Sequence, residues 1–248
     1  MQFSNTTTKG GLIQLCERLC GFQDGEISGD STVLKQFTAR VNGAFDEILP
    51  LVLSNTDKLR WDDTNHSDLP IGTFNLVSGQ NDYTITSDDN SLSIINIVGV
   101  RILTSSSGTE YKDLERVTLD DERALNMLSP NPSDSGIPSA FLERGNTIFF
   151  DKKPNYNATN GGKVFFERDP SYFTSTDTTK EPGIPKQFHD ILGYIASLEW
   201  VIQYKSDNST LLTRLEVKIA EKKRQLSDSI EMRNPTLKHL TPRQESNM

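Results

Sequence analysis

Apolar positions along the chain change their period twice. Leu12, Leu15, Cys16, Leu19 and Cys20 recur at i, i+3, i+4, i+7 and i+8, one face of a helix, and Gly21 follows as its stop. After a loop holding Gly25 and Gly29, either Asp30 or Ser31 is placed to cap a second helix. Its face runs through Leu34, Phe37, Val41, Ala44, Phe45 and Ile48. Pro50 lacks the amide proton that a helix interior uses, so it should kink or end this helix, unless Leu51–Leu53 extend it. Leu59-Arg60-Trp61 reads as the exit, with Trp61 packing over the junction of helices and sheet.

From Gly72 to Phe173 the period becomes that of strands. Phe74 and Leu76 alternate, a turn over Val77–Asp82 leads to Tyr83 and Ile85, and Ser87–Ser91 turns again. Leu92–Leu103 is too long for one simple strand and is read as two pieces or as one strand bent by a bulge at Gly99. A loop at Ser105–Gly108 leads to a strand over Tyr111–Val117. Thr118 is placed to cap a short helix ending at Met127, with Asp121 in the capping-box position. Ser129–Pro138 is a loop. Phe141–Arg144, Thr147–Asp151 and Lys163–Glu167 are three more strands, the first two joined by the two-residue turn Gly145-Asn146.

The helical period then returns. Pro185 sits just inside a helix start, and Phe188, Ile191, Leu192, Ile195, Leu198 and Ile202 line its face. A short turn at Asp207-Asn208-Ser209 makes the next helix an antiparallel neighbour, with Leu212, Leu215, Ile219, Leu226 and Ile230 facing in. Asn234-Pro235 stops it. The pattern predicts an α+β chain: an antiparallel α-helical bundle made from the N- and C-terminal segments, with an inserted antiparallel β domain. The expected parts are bundle helices over 1–60, the β-rich insertion over 61–183, a helix pair over 184–233 and a polar C-terminal extension over 234–248.

Composition changes this picture only in part. At 248 residues the chain can bury a real core, yet its apolar fraction is 34% and its mean hydropathy −0.50. Either polar loops and the polar tail dilute an ordinary core, or partner subunits close much of the surface. A net charge of −8 argues against a surface that grips phosphates. The first residues lack the basic start and apolar run of a leader, and no window approaches a membrane span. The expected setting is therefore a cytoplasm, and the Asn-x-Ser/Thr triplets at Asn5, Asn65, Asn157 and Asn208 are read as chance matches.

No phosphate-loop, dinucleotide-binding, zinc-protease or serine-hydrolase spacing occurs in the sequence. Cys16 and Cys20 could offer two metal ligands from one helix turn, but both lie on the apolar stripe and read as buried free thiols. Asp88-Asp89-Asn90 and Asp120-Asp121-Glu122 lack calcium-loop spacing and read as a turn and a helix start. His66, His189 and His239 are dispersed, with His189, beside the apolar positions of its helix, expected to be partly buried or at the surface. Lys218, Lys222, Lys223 and Arg224, interleaved with Glu216 and Glu221, read as a solvated helix face. No enzyme, no cofactor and no metal site is expected.

Five stretches carry a resemblance. They are Gly79-Gln80-Asn81-Asp82-Tyr83-Thr84-Ile85; Ile97-Val98-Gly99-Val100-Arg101-Ile102; Gly136-Ile137-Pro138-Ser139-Ala140-Phe141; Gly145-Asn146-Thr147-Ile148-Phe149-Phe150 with Pro154; and Ile184–Leu192, which leads into the final helices. In this order the chain resembles the head-to-tail adaptor (connector, or neck) proteins of tailed bacteriophages. The likeness runs from about Leu34 to Ile230, and it departs at Phe141, where Tyr is usual, and at Lys152-Lys153-Pro154, where a tighter Pro-x-Pro is common.

The resemblance implies a virion neck protein, assembled in the host cytoplasm as a homo-oligomeric, dodecameric ring that extends the DNA channel. Its implied partners are the portal protein on one side and tail, nozzle or fibre proteins on the other. Double-stranded DNA would pass through without being specifically bound, and no membrane is involved. The C-terminal extension of such adaptors threads onto the portal, which points to Asn234, Leu237, His239, Leu240 and Arg243; the alternative is a frayed terminus. Two other readings remain open: a β-rich tail-fibre or recognition module, for which Phe149, Phe150, Phe165, Phe166, Tyr172 and Phe173 are candidates although adjacent pairs in a strand point to opposite faces and read as core, and another neck or tail-completion ring protein.

Overall fold

The computed structural model describes residues 1–54, 71–87, 93–128 and 134–233, with backbone alone for 53–54 and 231–233. Its helices are α1 (Leu12–Cys20), α2 (Ser31–Ser54), α3 (Glu122–Met127), α4 (Asp190–Tyr204) and α5 (Ser209–Arg233). Its strands are β1 (Ile71–Leu76), β2 (Asp82–Thr84), β3 (Ile94–Leu103), β4 (Tyr111–Asp113), β5 (Glu115–Val117), β6 (Ala140–Arg144), β7 (Thr147–Phe150) and β8 (Ala158–Arg168). They fall into two compact units: Met1–Phe3 with Arg60–Lys186, and Ser4–Leu59 with Gln187–Met248.

The β unit holds two four-stranded sheets, in the orders β1-β8-β3-β4 and β2-β7-β6-β5. Alternation in β8 explains the first: Val164 and Phe166 are buried, while Lys163, Phe165 and Glu167 are only partly so. Opposite β8, β3 is a single strand whose register shifts at Ile94/Asn96 and at Ile97/Gly99, which settles the two readings of this stretch in favour of a bulged strand. Phe74 of β1 pairs with Gly162 of β8, and its ring fills the space a side chain at 162 would need. One core joins the sheets, with Leu76, Val100, Ile102, Val164 and Phe166 clustering with Tyr83, Phe141, Ile148 and Phe150. Around this cluster Tyr83 and Phe150 lie 5.2 Å apart between ring centroids. Strand β6 is buried on both faces because Ala124 and Met127 of α3 cluster with Ala140 and Leu142.

In the helical unit α4 is the centre, in contact with α1, α2 and α5. Ile191, Leu192, Ile195, Ala196 and Val201 are all buried, so an amphipathic stripe would not serve it. Gly193 lets α1 come close: the Cys16 thiol lies 3.7 Å from its carbonyl oxygen. Asp30 is the N-cap of α2, its carboxylate accepting the amide protons of Thr32 at 2.8 Å and Val33 at 3.0 Å. Fully buried Glu17 holds the loop between α1 and α2, accepting from the amides of Ile27 and Ser28 and from the Ser28 hydroxyl at 3.0–3.1 Å.

Several expectations are corrected. The helices are not a bundle flanking an inserted antiparallel β domain. The two sheets dominate the central part, and β5 and β6 run parallel, while α3 lies among the strands as the pattern placed it. Periodicity identifies strands and helices, but these pairings join distant segments that no local pattern encodes. Helix α2 runs through Pro50 to Ser54, because Ile48 and Val52 keep its apolar face buried on both sides of the proline. Pro185 precedes a short 3-10 turn, Lys186–Phe188, and α4 starts only at Asp190. Asp121, not Thr118, caps α3, accepting the Arg123 amide proton at 2.9 Å. Ile202 is 55% exposed, and Val201 takes the inward place instead.

Candidate interaction surfaces

The stretches that carried the resemblance lie far apart in sequence, and three of them meet in the β unit. Gly79, at φ +83°, makes the left-handed step that carries the chain from β1 to β2. Its amide donates to the Pro154 carbonyl at 2.8 Å, and the amide of Ser78 donates to the Asn157 side chain at 2.8 Å. The Tyr83 hydroxyl closes the same turn by accepting the Val77 amide proton at 3.1 Å. Burial pushes the Tyr83 phenol up from its ordinary range. Asn81, itself buried, accepts the Phe150 amide proton on its carbonyl and donates from its side chain to the Met127 carbonyl at the end of α3. The segment after Gly136 is clasped by Asp151, which accepts from the Ser139 amide and hydroxyl and from the Ala140 amide at 2.6–3.1 Å. The Gly145-Asn146 turn receives the Ile85 amide at 2.7 Å. These residue types therefore fasten turns to one another; their chemistry is spent on the fold.

The other candidate groups are likewise used structurally. Cys16 and Cys20 are free and buried, and burial pushes their thiols up to about 12 and about 11. Arg123 draws Glu115 and Asp121 together at the surface and holds both carboxyls below their usual range. His189 is fully buried at the start of α4, more so than the partly buried or surface position expected. The basic run of α5 is only partly a solvated face. Lys222 pairs with Asp190 of α4 at 2.8 Å, Lys223 pairs with Glu47 of α2, and Lys218 stays on its own helix with Glu221. Among the described residues no group of three or more His, Cys, Asp or Glu side chains could hold a metal ion. Asp88-Asp89-Asn90, Trp61, His66 and the portal-facing candidates Asn234, Leu237, His239, Leu240 and Arg243 lie outside the described residues.

What the fold leaves uncovered is more informative. On the helical unit Phe22, Phe37, Trp200 and Tyr204 form an aromatic cluster, with Phe22–Trp200 centroids 4.9 Å apart and Trp200–Tyr204 centroids 5.4 Å apart. Tyr204 is 54% exposed. Lys205 lies over the Trp200 ring at 5.1 Å and donates to the Cys20 carbonyl, while Arg40 lies over Phe37 at 5.7 Å. Beside Arg40, burial pushes the Glu199 carboxyl up. Sequence reasoning missed this cluster; its signals were Trp200 and Tyr204 at i, i+4, and Phe22 directly after a helix stop.

On the β unit, Leu119, Leu125 and Ile137 are exposed. The outward side of the first sheet carries Ile71 and Phe165, with Arg101 over the Phe165 ring at 5.2 Å. Between β1 and the end of β2 lies a cavity of about 170 Å³, lined by Gly72, Phe74, Ile85, Ile94, Val164 and Phe166 among others. Of the six aromatics weighed as a recognition surface, Phe150, Phe166 and Phe173 are buried, in line with the core reading, and only Tyr172 is exposed, at 39%. Among the described residues no helix is long and apolar enough to cross a membrane. No protein-family model and no curated protein sequence matches the chain.

Proposed function

We propose that this chain is a structural virion component of the head-to-tail adaptor kind, a ring subunit that joins the portal to the tail around the DNA channel. The observation that carries the reading is that each unit leaves large apolar side chains exposed. Tyr204, beside half-buried Trp200, and Ile202 are exposed on the helical unit, and Leu119, Leu125 and Ile137 on the β unit. Clustered Trp and Tyr side chains beside cations are the residue types that anchor protein interfaces. A chain that leaves such surfaces on two separate units is suited to bridging two partners, and its acidic balance keeps DNA in the channel from sticking. In this reading the helical unit serves ring and portal, and the β unit faces the tail.

The reading is tested by mixing the purified chain with its portal and imaging the product. A closed ring on the portal is expected, and its failure to form sinks the adaptor assignment. Removal of residues 234–248 is expected to weaken docking while leaving the isolated chain folded; unchanged docking removes the portal role from Asn234, Leu237, His239, Leu240 and Arg243.

A further inference from the structure

Two cations of the helical unit stand against the aromatic cluster without a carboxylate partner. Arg40 of α2, over the Phe37 ring, donates to the Gln203 side chain at 2.6 Å and to the Gln36 carbonyl at 3.3 Å. Lys205, over the Trp200 ring, donates to the Cys20 carbonyl at 2.7 Å, at the end of α1 where the helix dipole favours a cation. Among the described residues neither pairs with a carboxylate, whereas Lys222 and Lys223 of the same unit end on Asp190 and Glu47. Glu199 lies in the field of Arg40 but makes no hydrogen bond to it. A guanidinium carries five N–H donors and an ammonium three, so Arg40 keeps three free and Lys205 two. Both side chains are half-buried, as are Phe22 and Trp200, while Tyr204 is exposed beside them.

We propose that this surface docks an acidic segment of a partner protein. An aromatic or aliphatic side chain of that segment would lie against Tyr204 and Trp200, and its carboxylates would take the free donors of Arg40 and Lys205. Carboxylates suit both cations, because they accept in pairs and match the planar fork of a guanidinium. Half-burial makes such pairs stronger than those in open solvent. Trp200 is already held between Phe22 at 4.9 Å and Phe37 at 6.3 Å, so docking orders few side chains. DNA fits this surface less well: two cations neutralise few phosphates, and the chain as a whole carries −8. The inference names the partner class of the helical unit's surface and rests on reading that surface as an interface. It does not rest on the ring, so a missing ring sinks the adaptor reading and leaves this one standing.

Selection on the immobilised full chain from a ribosome-displayed library of random short peptides tests the chemistry. Enriched sequences should be rich in Asp and Glu around an aromatic or large aliphatic residue. The best of them, made synthetically, should bind at least about fivefold more weakly to R40Q, K205Q and Y204S, as when an interface anchor is lost. Added salt should weaken it too. K205R keeps the charge and should retain most of the binding, and L125S, in the other unit, should leave it unchanged. Should K205Q fail to fold for want of its bond to the Cys20 carbonyl, R40Q and Y204S decide the matter. The proposal is overturned if selection returns neutral or basic sequences or none, or if binding survives R40Q and Y204S. A single-stranded DNA oligonucleotide that displaces the peptide at equal concentration would assign the surface to nucleic acid instead. Self-association of the wild-type chain that R40Q abolishes would assign it to a second copy.

Discussion

The two units are held together by different means. In the β unit, short strands are fastened at their turns by side chains that bond to backbone: Tyr83 to Val77, Asp151 to Ser139 and Ala140, Asn157 to Ser78, Asn75 to Asn160. Any one clasp holds one turn. In the helical unit, burial around α4 does most of the work and a single carboxylate, Glu17, governs a whole interhelical loop. Polar restraint is thus distributed over several turns in the β unit, and concentrated in one side chain in the loop from α1 to α2. Damage to a β clasp should stay local, whereas damage to Glu17 should spread.

The most severe test of that contrast removes apolar mass where the two sheets meet. Phe150→Ala empties a fully buried site beside Tyr83 and Phe74 and should cost about 4 kcal/mol. Denaturation followed by hydrogen exchange should place the loss in the β strands; equal loss in α4 and α5 would dissolve the distinction between units. Next comes Glu17→Ala, which strands the buried Ile27 amide and frees the Ser28 amide and hydroxyl, for about 3 kcal/mol. Exchange should rise across the loop from Phe22 to Asp30 and in α1 and α2 as well; a rise confined to the loop would make Glu17 a local clasp like the others.

Alkaline titration is a gentler probe of the helical unit alone. Cys16 keeps its proton in the folded state up to about pH 12, while the unfolded chain releases it near pH 9. The unfolded state therefore binds fewer protons between these values, and stability falls as pH rises. The slope is about 1.4 kcal/mol per pH unit for each such thiol. Cys16→Ala should flatten the curve of unfolding free energy against pH; an unchanged slope would mean that the thiol ionises in place. Smallest of all should be Tyr83→Phe, which frees the amide of Val77, a residue 43% exposed, for about 1 kcal/mol. Comparable loss from Tyr83→Phe and Glu17→Ala would erase the difference between distributed and concentrated restraint.

Much of this was legible in the residues, and the rest was hidden for physical reasons. The face of α2 follows directly from period, as do β7 and the two-residue turn before it, because each is a local arrangement, whereas α1 also buries Ile13, Gln14 and Glu17, outside its apolar stripe. Nothing local announces that β5 lies parallel to β6, that Phe74 covers Gly162, or that Gly79 bonds to Pro154. Helix α4 misled in a specific way: a helix buried on three sides has no single stripe, so the period put Ile202 on the inward face and left out Val201. Phe3 was invisible because it stands alone in a polar stretch, with its stacking partner 170 positions away. The uncovered aromatic cluster was missed because Phe22 comes from one end of the chain and Trp200 and Tyr204 from the other.

The central place of α4 also sets a timetable for synthesis. Helices α1 and α2 leave the ribosome early, but the helix they pack around begins only at Asp190, well over a hundred residues later. At about 5–20 residues per second, their apolar faces wait on the order of ten seconds for a partner. The strands between them can meet in that interval, since β1 through β8 all precede α4. Because β8 joins β1 to β3 and ends only at Arg168, the first sheet can close only shortly before α4 appears, and this interval is when a chaperone would find the chain most exposed.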